Sequence, residues 1–231
     1  MVMPMLAPRL LVVADRAYAG DDDRWLAALR AVGEAARGEP VWVQVRAKTY
    51  LGDALADLAV RAREAIPADV PALLNGDASS ADLAAALGYD GLHWPEDAIP
   101  AAAPLDGLRV HSAAIHSEAA LHRAEEARAN FAVFGAVHAP GSKPGDGVGV
   151  EALRAITEAS TVPVIAIGGI SPERVAACIQ AGAYGVAVVS GVLGAPSPAE
   201  AIHAYLAALA AAVNSTSPMQ PTSPAQRGNP R

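Results

Sequence analysis

Short apolar runs alternate with longer amphipathic stretches along most of this chain. Eight runs have the length and apolar content expected of β-strands, at residues 10–14, 41–46, 72–74, 91–93, 109–111, 131–136, 162–167 and 185–189. Stretches rich in Ala, Leu and Arg at helical spacing lie between them, for example 25–36, 51–66 and 172–181. Strands that alternate with helices favour parallel pairing through right-handed crossovers.

The last apolar runs indicate a parallel sheet that is covered on both faces. Residues 163–167 and 186–189 are apolar without a break, as expected for parallel strands that are buried on both faces. An open doubly wound sheet is the alternative architecture. Eight strand–helix units and small-residue loops late in the chain favour the barrel, and we predict the α/β class with a single (β/α)8 TIM barrel over residues 10–213.

The two ends of the chain lack this pattern. Residues 1–9 are predicted to form a flexible leader. Residues 214–231 are rich in Ser, Thr, Pro, Gln and Asn and contain almost no large apolar side chains. Such a segment buries too little surface to offset the entropy of ordering, so we predict a disordered tail.

Composition and charge narrow the possible partners. Hydrophobic residues make up 52% of the chain and aromatic residues only 4%, so Ala, Val and Leu must fill a large core. The net charge of −7 argues against binding to nucleic acid or to an acidic membrane, because both need a basic face. The single cysteine, Cys178, suits a reducing compartment, and no run reaches the roughly 18 apolar residues of a membrane span. We therefore expect a cytoplasmic homo-oligomer that acts on a small molecule.

Small residues follow the last two predicted strands and indicate a phosphate site. Gly168, Gly169 and Ile170 come after the seventh strand, and Ser190 and Gly191 end the eighth. Glycine lets backbone N–H groups approach an anion without interference from a Cβ atom. The loops after strands seven and eight are the usual phosphate-binding loops of such barrels, although the glycines would also suit simple tight turns.

Alternating polar residues end the second predicted strand. Gln44, Arg46 and Lys48 share one face, and Val43 and Val45 share the other. Three polar side chains are costly inside a barrel unless they bind something, so we interpret them as an anion clamp. A solvated strand end is the alternative.

Polar residues after strands three and four leave more than one interpretation open. Asn75 and Asp77 suit polar substrate atoms or a metal, but Asp77 also suits a helix cap. His93 faces either the site or the core. Glu96 and Asp97 are candidate Mg²⁺ ligands or ordinary loop acids.

Two histidines and one lysine are candidates for acid–base or anion chemistry. His116 lies just before Ser117, which is positioned to begin a helix, and His138 follows the sixth strand. Lys143 lies in a glycine-rich loop and is the expected second anion contact. A histidine with near-neutral pKa suits proton transfer, and a structural role is the alternative for both.

The order and spacing of these residues resemble the thiamine phosphate synthase/TenI superfamily over about residues 10–213. The resemblance is carried by Gln44-Val45-Arg46-Ala47-Lys48, Asn75, Gly91-Leu92-His93, His116-Ser117, Phe134-Gly135, Ser142-Lys143, Ala166-Ile167-Gly168-Gly169-Ile170 and Val189-Ser190. The synthase branch joins a pyrimidine diphosphate to a thiazole phosphate and releases pyrophosphate. The resemblance implies that Gln44, Arg46, Lys48 and Lys143 hold pyrophosphate, that the glycine-containing loops hold the thiazole phosphate, and that Mg²⁺ neutralises the leaving group.

The chain departs from the synthase pattern where the metal is expected. Gly76 follows Asn75 in place of an Asp, and Pro95-Glu96-Asp97 replaces a Gln-x-Asp motif. These features are more similar to the TenI branch, which includes thiazole tautomerases that need no Mg²⁺. The histidine expected after Phe134-Gly135 in that branch is Ala136 here, which leaves His138 and His116 as candidates.

Three functional hypotheses follow. The favoured one is a TenI-like thiazole tautomerase without a cofactor. The first alternative is a thiamine phosphate synthase whose Mg²⁺ is bound by Asp77, Glu96 or Asp97. The second alternative is a non-catalytic regulatory barrel that binds a phosphorylated ligand, because Gly76 and Ala136 occupy two expected functional positions.

Overall fold

The computed structural model, which describes residues 7–104, 107–139 and 146–216, is a closed barrel of eight parallel strands. The strands are β1 (Leu10–Asp15), β2 (Val41–Arg46), β3 (Ala72–Asn75), β4 (Gly91–Trp94), β5 (Val110–Ile115), β6 (Phe131–Gly135), β7 (Val164–Ile167) and β8 (Gly185–Val188). Each strand pairs with its neighbours in the chain, and β1 closes the barrel against β8. The predicted single (β/α)8 barrel is confirmed.

Helices cover the outside of the barrel. They are α1 (Arg16–Ala19), α2 (Asp22–Ala36), α3 (Gly52–Ala65), α4 (Ala81–Ala86), α5 (Glu118–Glu126), α6 (Val150–Ala159), α7 (Val175–Gln180), α8 (Ser190–Leu193) and α9 (Pro198–Thr216). Local capping explains where two of them begin: Asp21 accepts a hydrogen bond from the Arg24 N–H, and Ser117 accepts one from the Ala120 N–H. Among the described residues, no helix is long and apolar enough to cross a membrane.

Side-chain alternation along the strands separates two apolar layers. One cluster fills the barrel interior and includes Leu11, Val13, Leu73, Phe131, Val133 and Ile165. The other lies between the strands and the helices, and it includes Val43 and Val45. The prediction that these two valines share one face of β2 is therefore confirmed, and the alternate residues Gln44 and Arg46 face the interior.

Several predicted boundaries were wrong by a few residues. Two residues of the predicted leader pack against the barrel: Ala7 is buried, and Arg9 lies over the Tyr184 ring with 4.8 Å between its Cζ atom and the ring centroid. The last helix continues to Thr216, beyond the predicted barrel end at Val213. The fifth strand is longer than the predicted 109–111, because Ser112 and the small residues after it also pair in the sheet.

Candidate functional site

A cavity of about 1030 Å³ opens at the carboxyl ends of the strands. This is the end of a (β/α)8 barrel where active sites lie. Nine of the residues singled out from the sequence line it: Gln44, Arg46, Lys48, Asn75, His93, Glu96, Asp97, His116 and Gly168. The fold therefore brings together residues that are spread over more than 120 positions of the sequence.

The cationic side of the cavity lies at the ends of β1 and β2. The Arg46 guanidinium donates to the Asp15 carboxylate, and the two side chains are 20% and 16% exposed. Asp15 lines the cavity but was not predicted as a site residue. Lys48 lines the same wall. Two cations against one carboxylate leave this wall with a net positive charge, which suits an anionic ligand.

Neutral polar groups form the adjoining part of the wall. Gln44 is only 2% exposed, and its Nε2 donates to the Asn75 Oδ1 at 3.1 Å. This bond leaves the Gln44 carbonyl oxygen and the Asn75 amide nitrogen available for a ligand. The pairing of β2 with β3 places these two side chains on neighbouring strands, since β3 extends to Asn75.

His93 is a buried, neutral histidine in the lining of the cavity. Its Nδ1 lies 2.9 Å from the Ser112 Oγ on the neighbouring strand β5. Burial, with the nearby Arg46 charge as a second cause, lowers the pKa of His93 to about 3. The imidazole is therefore uncharged at neutral pH and offers a hydrogen-bonding group rather than a cation.

This lowered pKa makes stability depend on pH. In the unfolded chain a histidine binds a proton near its ordinary pKa of 6.5, whereas folded His93 stays neutral down to about pH 3. Stability is therefore lost as the pH falls through this window, by about 2 kcal/mol between pH 7 and pH 5. Urea unfolding of the wild type should show this extra loss relative to a His93→Gln variant. The control variant His203→Gln, which changes an exposed histidine of α9, should lose as much stability between pH 7 and pH 5 as the wild type does. Equal pH dependence of the free energy of unfolding in the wild type and His93→Gln would contradict the assignment.

A second histidine lies at the rim of the cavity. The His116 Nδ1 is 2.5 Å from a Glu96 carboxylate oxygen, and Arg123 lies 3.5 Å from the other oxygen of the same carboxylate. His116 is 65% exposed on its side chain and lines the cavity. A carboxylate that holds one ring nitrogen leaves the other nitrogen directed elsewhere for proton transfer. Arg123 was missed in the sequence because it reaches the rim from α5.

Two loops, which we call the glycine loops, lie at the β7 and β8 side of the cavity, and Gly168 is the residue of these loops that lines it. They comprise residues 168–170 and 190–191. Within the described part of the chain, the backbone N–H groups of these five residues donate to no protein acceptor. Gly168 itself lines the cavity, next to Ile167 and Val189. Backbone amides that are left unpaired beside a cavity are suited to bind an anion.

Two of the residues singled out from the sequence, Asp77 and His138, neither line the cavity nor belong to the glycine loops. Asp77 caps the short helix Ala78–Ser80, since its Oδ1 accepts from the Ser79 N–H at 2.9 Å, and it does not line the cavity. His138 lies against Gly169, three residues after β6 ends at Gly135, and it does not line the cavity. Burial and Arg174 lower its pKa. Lys143 lies outside the described residues.

The carboxylates do not form a preformed magnesium site. Asp77 is engaged in its cap, and Glu96 is paired with His116 and Arg123. Asp97 then remains as the one predicted metal ligand that lines the cavity without such a pairing among the described residues. No group of three or more potential metal ligands occurs in that part of the chain. The residues expected to hold Mg²⁺ therefore do not fit the ion.

Comparison with known proteins agrees with the sequence resemblance. A family model described as thiamine monophosphate synthase (TMP-TENI) matches residues 10–192. A thiamine-phosphate synthase from Roseiflexus sp. (strain RS-1) is 35% identical over 211 residues, which cover 88% of this chain and 86% of that protein.

Two further proteins show how far the similarity extends. The thiamine biosynthesis bifunctional protein ThiM/ThiE from Symbiobacterium thermophilum is 38% identical over 71% of this chain, but the chain spans only 35% of that longer protein. The solved structure of a thiamine phosphate pyrophosphorylase from Pyrococcus furiosus superimposes with a TM-score of 0.70 at 21% identity and covers 89% of this chain and 96% of that one. At that identity, the structural likeness supports the fold alone.

Proposed function

This chain belongs to the thiamine monophosphate synthase/TenI family, and we propose that it catalyses the synthase reaction of thiamine biosynthesis. The observation that supports the proposal is that one cavity is lined at one side by Arg46 and Lys48 and at another by Gly168 of the glycine loops, two regions suited to bind anions. Arg46 and Lys48 lie at the end of β2, and the glycine loops lie at the ends of β7 and β8. Two phosphorylated substrates need two such regions.

The chemistry assigned to these residues is transfer of a pyrimidinylmethyl group from the diphosphate to the thiazole nitrogen. The bond between the methylene carbon and the diphosphate oxygen breaks, and its electron pair leaves with pyrophosphate. The thiazole nitrogen then donates its lone pair to the pyrimidine cation and forms the new C–N bond. Arg46 and Lys48 stabilise the charge that grows on the leaving group, and the glycine loops orient the thiazole phosphate for attack.

A thiazole tautomerase, which the sequence favoured, is the second candidate. The His116–Glu96 pair at the rim is the observation that supports it, because a carboxylate-oriented histidine suits a proton shift. The Roseiflexus relative supports the synthase instead, because it is named a thiamine-phosphate synthase and its similarity covers most of both chains.

A purified-protein assay separates the two candidates. With a pyrimidine diphosphate and a thiazole phosphate, we expect thiamine phosphate and pyrophosphate to form in equal amounts. The assay is run with added Mg²⁺ and with chelator, because the expected carboxylate ligands do not fit the ion. Absence of thiamine phosphate both with added Mg²⁺ and with chelator would contradict the synthase proposal.

The tautomerase arm of the assay uses a thiazole carboxylate phosphate without metal. Conversion that is lost in His116→Ala and kept in His122→Ala would establish the second candidate. His122 is the matched control because it is also exposed and also lies beside a glutamate, 3.7 Å from Glu118. Binding of phosphorylated ligands without turnover in either arm would favour the non-catalytic alternative.

A further inference from the structure

A buried tyrosine of the last helix lies beneath both glycine loops. Tyr205 is 2% exposed, and its hydroxyl donates to the Ile170 carbonyl oxygen at 2.8 Å. The same hydroxyl lies against the other loop, because a Cβ atom placed on Gly191 would be only 2.1 Å from it. One phenol oxygen therefore contacts the loop after β7 and the loop after β8.

A second side chain holds the neighbouring carbonyl. The Arg174 Nη1 donates to the Gly169 carbonyl oxygen at 2.7 Å. Neither Arg174 nor Tyr205 lines the cavity. Two successive carbonyl groups of the loop are thus held from outside the cavity, while the N–H groups of the same loop remain without a partner among the described residues.

We propose that Tyr205 is a positioning residue that fixes the two glycine loops in the geometry that binds a phosphate. The inference rests on the proposed function, in which these loops hold the thiazole phosphate. Backbone donors bind an anion well only when they are held in place before the ligand arrives. Loss of the hydroxyl frees the Ile170 carbonyl and opens a gap beside Gly191, so the amides of the two loops are no longer fixed relative to each other.

The test is the Tyr205→Phe variant with Tyr89→Phe as its matched control. Tyr89 is also buried, at 4% exposure, and its hydroxyl donates to the Ala59 carbonyl at 2.9 Å, next to the amino-terminal end of β4. Both variants lose one buried hydroxyl-to-carbonyl bond. We expect Tyr205→Phe to raise the KM for the thiazole phosphate about five- to tenfold, with kcat and the KM for the pyrimidine diphosphate unchanged. Tyr89→Phe should leave all three constants unchanged.

The alternative outcomes are distinct. An unchanged KM for the thiazole phosphate in Tyr205→Phe, or an equal rise in Tyr89→Phe, would overturn the inference. Titration of both proteins with inorganic phosphate provides a readout that does not depend on turnover. If the wild type makes no thiamine phosphate but binds phosphate more tightly than Tyr205→Phe, the proposed function fails and the role of Tyr205 stands. If the wild type binds no phosphate, the inference fails too.

Discussion

Replacement of Gly168 by alanine is expected to lower kcat/KM for the thiazole phosphate by about 100-fold or more. Gly168 has φ = +106°, and a Cβ atom there would lie 2.5 Å from the Ala136 backbone. The loop must move to relieve this contact, and its amides then lose their geometry toward the phosphate. Steady-state kinetics with the thiazole phosphate varied measures the effect.

Gly38→Ala is the control for this substitution. Gly38 also has a positive φ, +74°, but nothing lies within 4 Å of the Cβ position. Both variants therefore carry the backbone cost of a side chain at positive φ, and only Gly168→Ala displaces a glycine loop. Binding of the pyrimidine diphosphate alone should be unchanged in both. A Gly168→Ala enzyme with the wild-type KM for the thiazole phosphate would contradict the assignment of this loop.

The barrel was predictable because its strands are unusually apolar. Runs such as 162–167 and 185–189 stand out against their helical surroundings. The predicted strands often stopped one residue early, at Ala14 and Leu74 rather than at Asp15 and Asn75. The reason is physical: strand ends that point into an active-site cavity carry polar side chains, so hydrophobicity marks the buried part of a strand and not its functional end.

The site was predictable only as far as strand alternation extends. Gln44 and Arg46 face the interior because they share the face of β2 that the alternation assigned. Asp15 follows Leu11 and Val13 at the same spacing, so the same rule would have found it. The rule cannot place His138, because β6 ends at Gly135 and alternation does not apply to the segment after it. Arg123 carries no local signal, since its position at the rim depends on how α5 packs against the barrel.

Removal of the guanidinium in Arg46→Met is expected to raise the KM for the pyrimidine diphosphate about 100-fold. The substitution removes a cation and also leaves the Asp15 carboxylate, which is 16% exposed and lines the cavity, without its partner. A carboxylate without its cation repels a diphosphate. The KM for the thiazole phosphate should stay within threefold, because the glycine loops are not altered.

The double variant Arg46→Met/Asp15→Asn separates these two contributions. Neutralising Asp15 removes the repulsion but does not restore the cation, so we expect it to recover part of the lost affinity for the diphosphate. Recovery means that the effects of the two substitutions are not additive, as expected for residues in direct contact. Arg109→Met is the matched control, because Arg109 pairs with Asp90 at 3.9 Å and neither residue lines the cavity. If Arg46→Met raised the KM values for both substrates equally, Arg46 would act on the shape of the cavity as a whole and not on the diphosphate.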